Sequence, residues 1–303
     1  MISVIILNYN RREDVLFTLS NILSSNKGYN NFEIILVDQN SSDGSQLAIK
    51  EMFPMVNLYC SEINLGVAGG RNMGAKLAKG AVLVFIDDDA HFKTKTALKV
   101  VEENFKKDIS LGIIGFKILD VNNKLRDWVY NKASEKLENI AFYSQQYVGC
   151  GHAIRTDLFN QMGGYSESLF FWGEEIEFCL KTYRDTTFTI IYQPKIEVIH
   201  RVSPLSRYHW RTSRTEFKTR NRFILLYSYF PRVSVYFYVF YVYFFIGYLF
   251  RSIQNISFKY FFKGFKDALF IRLPQKKLKR KQIAAYSKCY FKQFVGMPEL
   301  YEH

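Results

Sequence analysis

Three consecutive aspartates, Asp87, Asp88 and Asp89, follow a run of apolar residues in the stretch VFIDDDA at positions 84–90. Adjacent ionised carboxylates repel one another, and each is costly to desolvate at the end of a buried strand. A divalent cation would offset both costs, because Mg²⁺ and Mn²⁺ bind carboxylate oxygens and keep coordination positions for phosphate groups. The triplet therefore predicts a metal site, and a solvated acidic turn is the alternative interpretation.

A second acidic cluster lies in the stretch FFWGEEIEFCLK at residues 170–181, where Glu174, Glu175 and Glu177 crowd the start of a predicted helix. Negative charge is stabilised at a helix N-terminus, so helix capping is one explanation of the cluster. The other explanation is that one glutamate acts as a general base on a substrate hydroxyl group.

His200 and a glycine-rich segment are two further candidates for contact with a charged ligand. His200 ends the strand-like stretch IEVIH, and its imidazole can complete a metal site made by carboxylates, although a structural role is the alternative. The segment NLGVAGGRNMGAKLAKG at residues 64–80 offers helix N–H groups and the Arg71 guanidinium to a diphosphate. A dinucleotide-binding fingerprint would instead follow the first strand with the spacing G-x-G-x-x-G.

The first polar loop, NYNRRED at residues 8–14, supplies Tyr9 for stacking on a base and Asn10 for hydrogen bonding. Asp38 ends the second predicted strand and could accept a hydrogen bond from a base N–H or a ribose hydroxyl group. Asparagine and aspartate are also ordinary turn formers, so a purely structural role is the alternative for each.

Short apolar segments alternate with helical ones through the first part of the chain. Predicted strands cover residues 2–7, 32–37, 56–60 and 81–86, with helices near 11–25, 43–53 and 67–78. Later strands are predicted at 112–118, 147–154 and 188–193, and a helix at 173–184. The alternation predicts an α/β fold with a mostly parallel central sheet flanked by helices, and ligands bind such sheets at the carboxyl ends of the strands.

Charge divides the chain near residue 200. Residues 201–303 hold 20 Lys and Arg against 4 Asp and Glu, a net of +16, whereas residues 1–200 carry a net of −3. The first region is typical of a soluble domain and the second of a segment that meets an anionic surface. Four widely spaced cysteines and the absence of a recognisable signal peptide before the first strand predict a reduced, cytoplasmic protein.

Seven motifs, taken in order, resemble those of family 2 glycosyltransferases with the GT-A fold. They are VIILNYNR, VDQNSSDGS, NLGVAGGRNMGA, FIDDDA, GGYSESLFFWGEEIEF, the histidine at position 200 and RTEFKTRNRFIL. The chain looks most like bacterial rhamnosyl- and galactosyltransferase-type members that build cell-surface polysaccharides. The resemblance implies a catalytic domain over residues 1–225, with a nucleotide-sugar half near 1–110 and an acceptor half near 111–225, followed by an aromatic and basic helical extension over 226–303.

The resemblance also implies roles for particular residues on the donor side. The nucleoside would be held by Asn8, Tyr9, Asn10 and Asp38. The aspartate triplet would be the D-x-D element, with Asp89 on the metal, Asp87 or Asp88 nearer the ribose, and Asp87 also a candidate ligand. His200 would match the family's late metal-binding histidine.

On the acceptor side, the family's catalytic aspartate aligns with Glu175. This chain has Glu-Glu-Ile-Glu where Glu-Asp-x-Asp is usual, and the extra methylene leaves Glu174 open as an alternative base. Three residues are assigned to the acceptor side by position alone: Trp128, His152 and Trp172.

The implied reaction is an inverting, metal-dependent transfer that uses Mg²⁺ or Mn²⁺. A sugar would move from a nucleoside-diphosphate sugar to a hydroxyl group of a glycan acceptor carried on a polyprenyl diphosphate lipid. The metal would stabilise the departing nucleoside diphosphate while the base takes the proton of the acceptor hydroxyl.

The C-terminal extension predicts attachment to an anionic membrane. It combines an uncharged, tyrosine-rich run of 18 residues at 233–250, an alternation of Phe and Lys at 258–270 and the basic run KKLKRK at 276–281. A single crossing would export residues 251–303, whose net charge is +9, against the positive-inside bias. We therefore expect an interfacial or re-entrant helix on the cytoplasmic face of the membrane, with a homodimer interface as the alternative.

Two other function classes fit parts of the sequence. A sugar-nucleotide-forming nucleotidyltransferase should carry a glycine-rich basic loop directly after the first strand, and NYNRRED contains no glycine. A non-catalytic membrane- or nucleic-acid-binding protein is suggested by the basic tail. The tail's charge, however, lies beside an apolar run and not over a folded basic face, so we expect no nucleic-acid partner.

Overall fold

The computed structural model describes residues 1–127, 136–202, 211–255, 257–273, 276–284 and 301. Within them the strands are β1 Ile2–Asn8, β2 Phe32–Asp38, β3 Asn57–Cys60, β4 Val82–Asp87, β5 Ala90–Phe92, β6 Leu111–Leu119, β7 Phe142–Tyr143, β8 Gly151–Arg155 and β9 Thr189–His200. The helices are α1 Arg12–Ser25, α2 Ser45–Met52, α3 Gly66–Leu77, α4 Ala97–Lys107, α5 Thr156–Gln161, α6 Glu174–Asp185, α7 Arg211–Tyr229, α8 Val235–Gln254 and α9 Phe258–Phe270.

One mixed sheet runs in the order β3-β2-β1-β4-β8-β6-β9-β5, and β7 pairs with β9. The strands β3, β2, β1 and β4 are parallel to one another, and β6 is parallel to β9. Antiparallel β8 lies between β4 and β6 and joins these two parallel groups. The predicted α/β architecture is confirmed, with antiparallel strands added; β9 is also longer than the predicted strand at 188–193 because it continues to His200.

Successive apolar residues along a strand point to opposite faces of the sheet, and helices cover both faces. In β1, Val4 and Ile6 pack into one cluster with residues of α1 and α4. The intervening Ile5 packs into a second cluster with residues of α3, α5 and α6. Strands buried on both faces read as continuous apolar runs, which is why ISVIIL and VLVFI were recognisable as strands.

Strand register brings polar residues from distant segments to one edge of the sheet. Asn8 lies opposite Asp38 in the β1–β2 pair, and Leu7 lies opposite Asp87 in the β1–β4 pair. The antiparallel β5–β9 pair places His200 opposite Ala90, directly after the aspartate triplet.

The three C-terminal helices form an apolar cluster of their own, and α6 also contributes to it. Leu180 of α6 packs into this cluster with residues of α7, α8 and α9. The Tyr229 hydroxyl donates a hydrogen bond of 2.6 Å to Oε1 of Glu177, which also pairs with Lys181 at 3.0 Å. α7 continues past residue 225, the position at which the sequence analysis divides the chain into two domains. The division of the chain at residue 225 stays a prediction.

The helix α8 is long and apolar enough to span a membrane, with a mean hydropathy of 1.3, and 22% of its apolar window is buried. It presents an exposed apolar face that includes Tyr238, Val242, Ile246 and Phe250. α9 buries Phe261, Gly264 and Ala268 and leaves an outer stripe of Phe258, Phe262 and Leu269 half exposed. Single apolar residues scattered over the surface are normal on a soluble protein. The outer surfaces of α8 and α9 instead expose several apolar residues together.

Gly264 allows α9 to approach α7 closely, because a Cβ there would lie 2.3 Å from the backbone oxygen of Glu216. We expect Gly264→Ala to lower the free energy of unfolding by about 1–3 kcal/mol, the usual cost of overpacking. Gly247 of α8 has no atom within 4 Å of an added Cβ, so Gly247→Ala is the matched control. The control should be neutral or stabilising, by about 0.5–1 kcal/mol, because alanine favours a helix. Urea unfolding of both variants measures the difference, and equal stabilities would contradict the close packing of α9 on α7.

Candidate active site

A cavity of about 750 Å³ opens at the edge of the sheet where β1 and β4 end. One wall carries Tyr9, Gln39 and the aspartate triplet, and the opposite wall carries the segment from Phe170 to Ile176. Parts of α7 and α8 close the remaining side. Both acidic clusters identified in the sequence therefore face the same space.

His200 joins the aspartate triplet from the far end of the chain. Its Nε2 lies 3.3 Å from Oδ1 of Asp89, and its Nδ1 donates a hydrogen bond of 2.6 Å to Oδ2 of Asp127. A carboxylate on the second nitrogen fixes the ring orientation, as is common for metal-binding histidines. Burial lowers the pKa of His200, but Cys150 and the hydrogen bonds to Asp127 and Asp89 outweigh burial and raise it.

Asp87, Asp89 and His200 offer ligand atoms that all lie within 4.8 Å of one another. Two carboxylates and one imidazole fit Mg²⁺ or Mn²⁺. A second group of Asp127, Cys150 and His200 is equally compact, but it shares His200 and contributes a thiol, which suits softer metals. The donor set of the first group matches the predicted site.

Arg11 is a cation of the chain itself that contacts the triplet, and sequence reasoning did not select it. Its guanidinium lies 3.3 Å from Asp88 and 3.0 Å from Asp89. Burial and the neighbouring Asp89 raise the pKa of Asp88 well above its usual range, despite Arg11. Burial also acts to raise the pKa of Asp89, but His200, Arg11 and Arg201 outweigh it and lower that pKa. Asp88 and Asp89 thus differ in proton affinity because only Asp89 contacts His200.

Arg71 of α3 connects the two acidic clusters. The side chain is buried, and its guanidinium contacts Asp87 at 3.1 Å, Glu175 at 2.9 Å and Glu174 at 3.4 Å. It also donates a hydrogen bond of 2.8 Å to the carbonyl of Gly149. Arg71 lines the cavity as expected, but here it holds carboxylates; its predicted contact with a diphosphate stays a prediction.

The two candidate bases differ in their access to the cavity. The side chain of Glu174 is 3% exposed, and that of Glu175 is 16% exposed. Burial, together with the nearby Glu175, raises the pKa of Glu174 well above its usual range. Gly149 leaves room for Glu175, because an added Cβ would lie 1.8 Å from Oε1 of that glutamate. The geometry therefore favours Glu175 over Glu174 as the group that meets a substrate.

Trp172 lines the cavity and belongs to a backbone segment with unusual dihedral angles. Both Phe170 and Trp172 have positive φ values, 58° and 68°, which are rare for bulky residues and concentrate at functional sites. Asn221 of α7 is fully buried and its Nδ2 donates to the carbonyl oxygens of Leu169, Phe171 and Trp172. These three hydrogen bonds give a structural role to the Asn in the motif RTEFKTRNRFIL.

The predicted nucleoside-binding residues lie together at the first loop. Asn8 and Asp38 are buried, and Nδ2 of Asn8 donates to Oδ2 of Asp38 at 2.7 Å. Asn10 binds the backbone N–H of Ser42 through its side-chain oxygen, and Tyr9 is exposed on the cavity wall. In this structure the two asparagines and Asp38 organise the loop, while Tyr9 faces the space where a base would stack.

His152 does not reach the acceptor side, contrary to the expectation from its position. It is fully buried on β8, stacks on Phe85 at 5.0 Å between ring centroids, and contacts Tyr165 through Nε2 at 2.9 Å. Burial and the charge of Arg71 lower the pKa of His152 well below its usual range, so the neutral ring belongs to the core. Trp128, the other predicted acceptor contact, lies outside the described residues.

Four cations on the C-terminal helices also line the cavity, and sequence reasoning did not select them. They are Arg214, Lys218 and Arg222 of α7 and Arg251 of α8. The spacing of the first three by four residues is a signal that the sequence did contain, because such residues share one helix face.

Comparison with known proteins identifies related sequences. The family model described as Glycosyl transferase family 2 matches residues 3–163. An uncharacterized glycosyltransferase of Haemophilus influenzae is 28% identical, over 62% of this chain and 64% of the relative. The amylovoran biosynthesis glycosyltransferase AmsB of Erwinia amylovora is 38% identical over 31% of this chain and 32% of its own length. The chain thus spans less than two thirds of these relatives.

A further relative and a solved structure carry more specific names. The Escherichia coli protein WfgD, a UDP-Glc:alpha-D-GlcNAc-diphosphoundecaprenol beta-1,3-glucosyltransferase, is 24% identical over 50% of this chain and 58% of its own length. The crystal structure of GalNAc-T7 with UDP, GalNAc and Mn²⁺ superposes with a TM-score of 0.62 at 19% identity, over 78% of this chain and 49% of that one. The structural likeness confirms the predicted GT-A fold.

The candidate metal site predicts a measurable Mn²⁺ affinity that depends on Asp89 and Asp127. Asp127→Asn should weaken Mn²⁺ binding by about tenfold to hundredfold, because it removes the carboxylate that orients His200. Asp89→Asn removes a direct ligand and should weaken binding at least as much. Titration followed by the electron paramagnetic resonance signal of free Mn²⁺ measures both, with Glu51→Gln on the exposed end of α2 as the control. An Asp89→Asn variant that binds Mn²⁺ as tightly as the unmodified protein would remove Asp89 from the site.

Proposed function

Because this chain belongs to glycosyl transferase family 2, we propose that it transfers a sugar from a nucleoside-diphosphate sugar to a hydroxyl group of a glycan acceptor. The family model covers residues 3–163, which include the aspartate triplet and Arg71. The transfer is inverting and depends on Mg²⁺ or Mn²⁺.

The observation that carries the proposal is the single guanidinium shared by the two acidic clusters. Asp87 and Glu175 both contact Arg71, at 3.1 Å and 2.9 Å, so the metal side and the base side of the cavity are separated by one arginine head group. A single monosaccharide can therefore contact both sides. The cavity volume of about 750 Å³ lies within the usual range for sites that enclose small ligands.

The donor occupies the wall formed by the strand edge. Tyr9 stacks on the base, and the asparagines of the first loop with Asp38 support the nucleoside. Asp87, Asp89 and His200 would hold the metal. Asp87 or Asp88 would lie nearer the ribose. When bound, the divalent ion would neutralise the negative charge of the diphosphate leaving group.

Glu175 performs the proton transfer. It accepts the proton of the acceptor hydroxyl as that oxygen forms a bond to the anomeric carbon, and the bond from the anomeric carbon to the diphosphate oxygen breaks on the opposite face. One displacement inverts the anomeric configuration and releases a nucleoside diphosphate. Arg71 keeps the Glu175 side chain in place before the acceptor arrives.

The acceptor is a glycan on a polyprenyl diphosphate lipid in cell-surface polysaccharide synthesis, and Trp172 contacts its sugar. Support comes from the names of two relatives, one acting on a diphosphoundecaprenol-linked sugar and one in amylovoran biosynthesis. The exposed apolar faces of α8 and α9 and the basic run at 276–281 suit an anionic leaflet. We place the enzyme on the cytoplasmic face of the membrane as a peripheral protein.

Replacement of Glu175 tests the assignment of the base. In a screen of nucleoside-diphosphate sugars with Mn²⁺ or Mg²⁺, Glu175→Gln should bind donor normally and lower transfer by about 10²–10⁴-fold. Glu174→Gln should lose less, because the side chain of Glu174 is 3% exposed and that of Glu175 is 16% exposed. Glu103→Gln, exposed on α4, is the control. Release of nucleoside diphosphate is the readout, and normal transfer by Glu175→Gln would exclude it as the base.

Membrane washing tests the attachment. A peripheral enzyme held by charge and by interfacial apolar side chains should be partly released from membranes by high salt and fully released by alkaline carbonate. Immunoblotting of the pellet and the supernatant measures release. Full retention in the pellet after carbonate would instead indicate that α8 spans the bilayer.

A further inference from the structure

Cys150 is a buried thiol that the proposed transfer does not use. The residue directly precedes β8 and is 4% exposed, yet it lines the cavity. Its carbonyl oxygen accepts a hydrogen bond of 3.2 Å from the backbone N–H of Asp87. This backbone contact holds Cys150 beside the first aspartate of the triplet.

The thiol is part of a compact group of ligand atoms. Asp127, Cys150 and His200 each offer one donor atom, and these atoms all lie within 4.8 Å of one another. The thiol also forms a hydrogen bond with the imidazole of His200. Asp127 keeps further contacts, among them the Arg126 guanidinium at 3.3 Å. All three ligand residues line the cavity, so a cation can reach them from solvent.

The sulfur atom distinguishes this group from the ligands of the triplet. Zn²⁺ accepts sulfur, nitrogen and oxygen ligands together, and three protein ligands leave its fourth tetrahedral position for water. Mg²⁺ and Mn²⁺ prefer oxygen ligands, such as the two carboxylates of the first group. Burial raises the pKa of the Cys150 thiol to about 11, so the thiol is neutral at neutral pH and releases its proton when a cation binds. The two groups therefore favour different metals.

Both groups depend on the same imidazole, that of His200. A neutral imidazole has one nitrogen with a free lone pair, while the other nitrogen carries the proton. A cation on Nε2 occupies the position next to Asp89, whose Oδ1 lies 3.3 Å from that nitrogen. A cation on Nδ1 replaces the hydrogen bond to Asp127 and leaves the proton on Nε2. In both cases His200 is no longer a ligand for a metal held by Asp87 and Asp89.

We propose that Asp127, Cys150 and His200 form a site for Zn²⁺, or for another divalent cation with affinity for sulfur, and that this site and the Mn²⁺ site of the triplet exclude one another. Zn²⁺ binds the thiolate, the imidazole and the carboxylate, water takes the fourth position, and the thiol proton passes to solvent. Zinc would therefore inhibit a transfer that needs Mn²⁺. Only this consequence rests on the proposed function, because binding of the ion does not depend on turnover.

Co²⁺ serves as the probe for this site, because a thiolate bound to Co²⁺ gives a charge-transfer absorption band that oxygen and nitrogen ligands do not give. Titration of the full chain with Co²⁺ should produce the band, and Zn²⁺ should remove it by displacing Co²⁺. Cys150→Ser should abolish the band. It should also weaken Zn²⁺ binding, measured against a chromophoric chelator, by more than about hundredfold, because loss of a ligand costs more than loss of an outer-shell partner. Cys60→Ser, exposed on β3, and Cys289→Ser are the matched controls and should keep the band.

Crossed variants separate the two metal sites. Asp87→Asn should weaken Mn²⁺ binding, followed by the electron paramagnetic resonance signal of free Mn²⁺, and should keep the cobalt band. Cys150→Ser should bind Mn²⁺ as the unmodified protein does, which also shows that this variant is folded. His200→Ala should lose both metals. Zn²⁺ should release bound Mn²⁺ from the unmodified protein, and far more Zn²⁺ should be needed to release it from Cys150→Ser.

A cobalt–thiolate band that persists in Cys150→Ser would overturn the proposal. Equal release of Mn²⁺ by Zn²⁺ from this variant and the unmodified protein would also overturn it, since zinc would then compete at Asp87 and Asp89. Simultaneous binding of Mn²⁺ and Co²⁺ by the unmodified protein, a measurement that needs no variant, would contradict the exclusion. Failure of the donor screen with intact zinc binding would refute the proposed transfer and leave this site standing.

Discussion

A single buried guanidinium group lies between the two acidic clusters of this protein. Arg71 contacts Asp87 from β4 and Glu174 and Glu175 from α6. Without it the carboxylate of Glu174, whose side chain is 3% exposed, would be buried without this partner, and breaking a buried ion pair typically costs about 3–5 kcal/mol. Because Arg71 belongs to α3, its single positive charge connects α3 with β4 and α6. That contact sets how far α6 lies from the strand edge, and therefore the width of the cavity in which a sugar is proposed to bind.

The second constraint is the pairing of β5 with β9. The antiparallel register places His200 opposite Ala90, so an imidazole from late in the chain arrives beside Asp89. Asp127 then accepts a hydrogen bond from the Nδ1–H of His200, and Nε2 lies next to Asp89. Together with Arg11, these contacts divide the triplet into carboxylates with different proton affinities. The three neighbouring carboxylates of the triplet therefore lie in different electrostatic environments.

The helix α7 contacts both α6, which follows the central strands of the sheet in the chain, and the helices α8 and α9. Asn221 supports the positive-φ segment that carries Trp172, and Tyr229 donates to the buried Glu177 of α6. The face of α7 towards the cavity carries cations, and its opposite side packs on α9 next to Gly264.

The sequence by itself determined the α/β alternation, the polar strand ends and the two acidic clusters, because these depend on local periodicity and on residues adjacent along the chain. It also contained the candidate ligands Asp87, Asp89 and His200. Only the tertiary structure decided which partners neutralise them: Arg11 and Asp127 were not selected in advance, and His152 proved to be a core residue. Partner choice, and the burial of a polar residue such as His152, follow from the order and register of strands that are distant in sequence, and local patterns do not specify either.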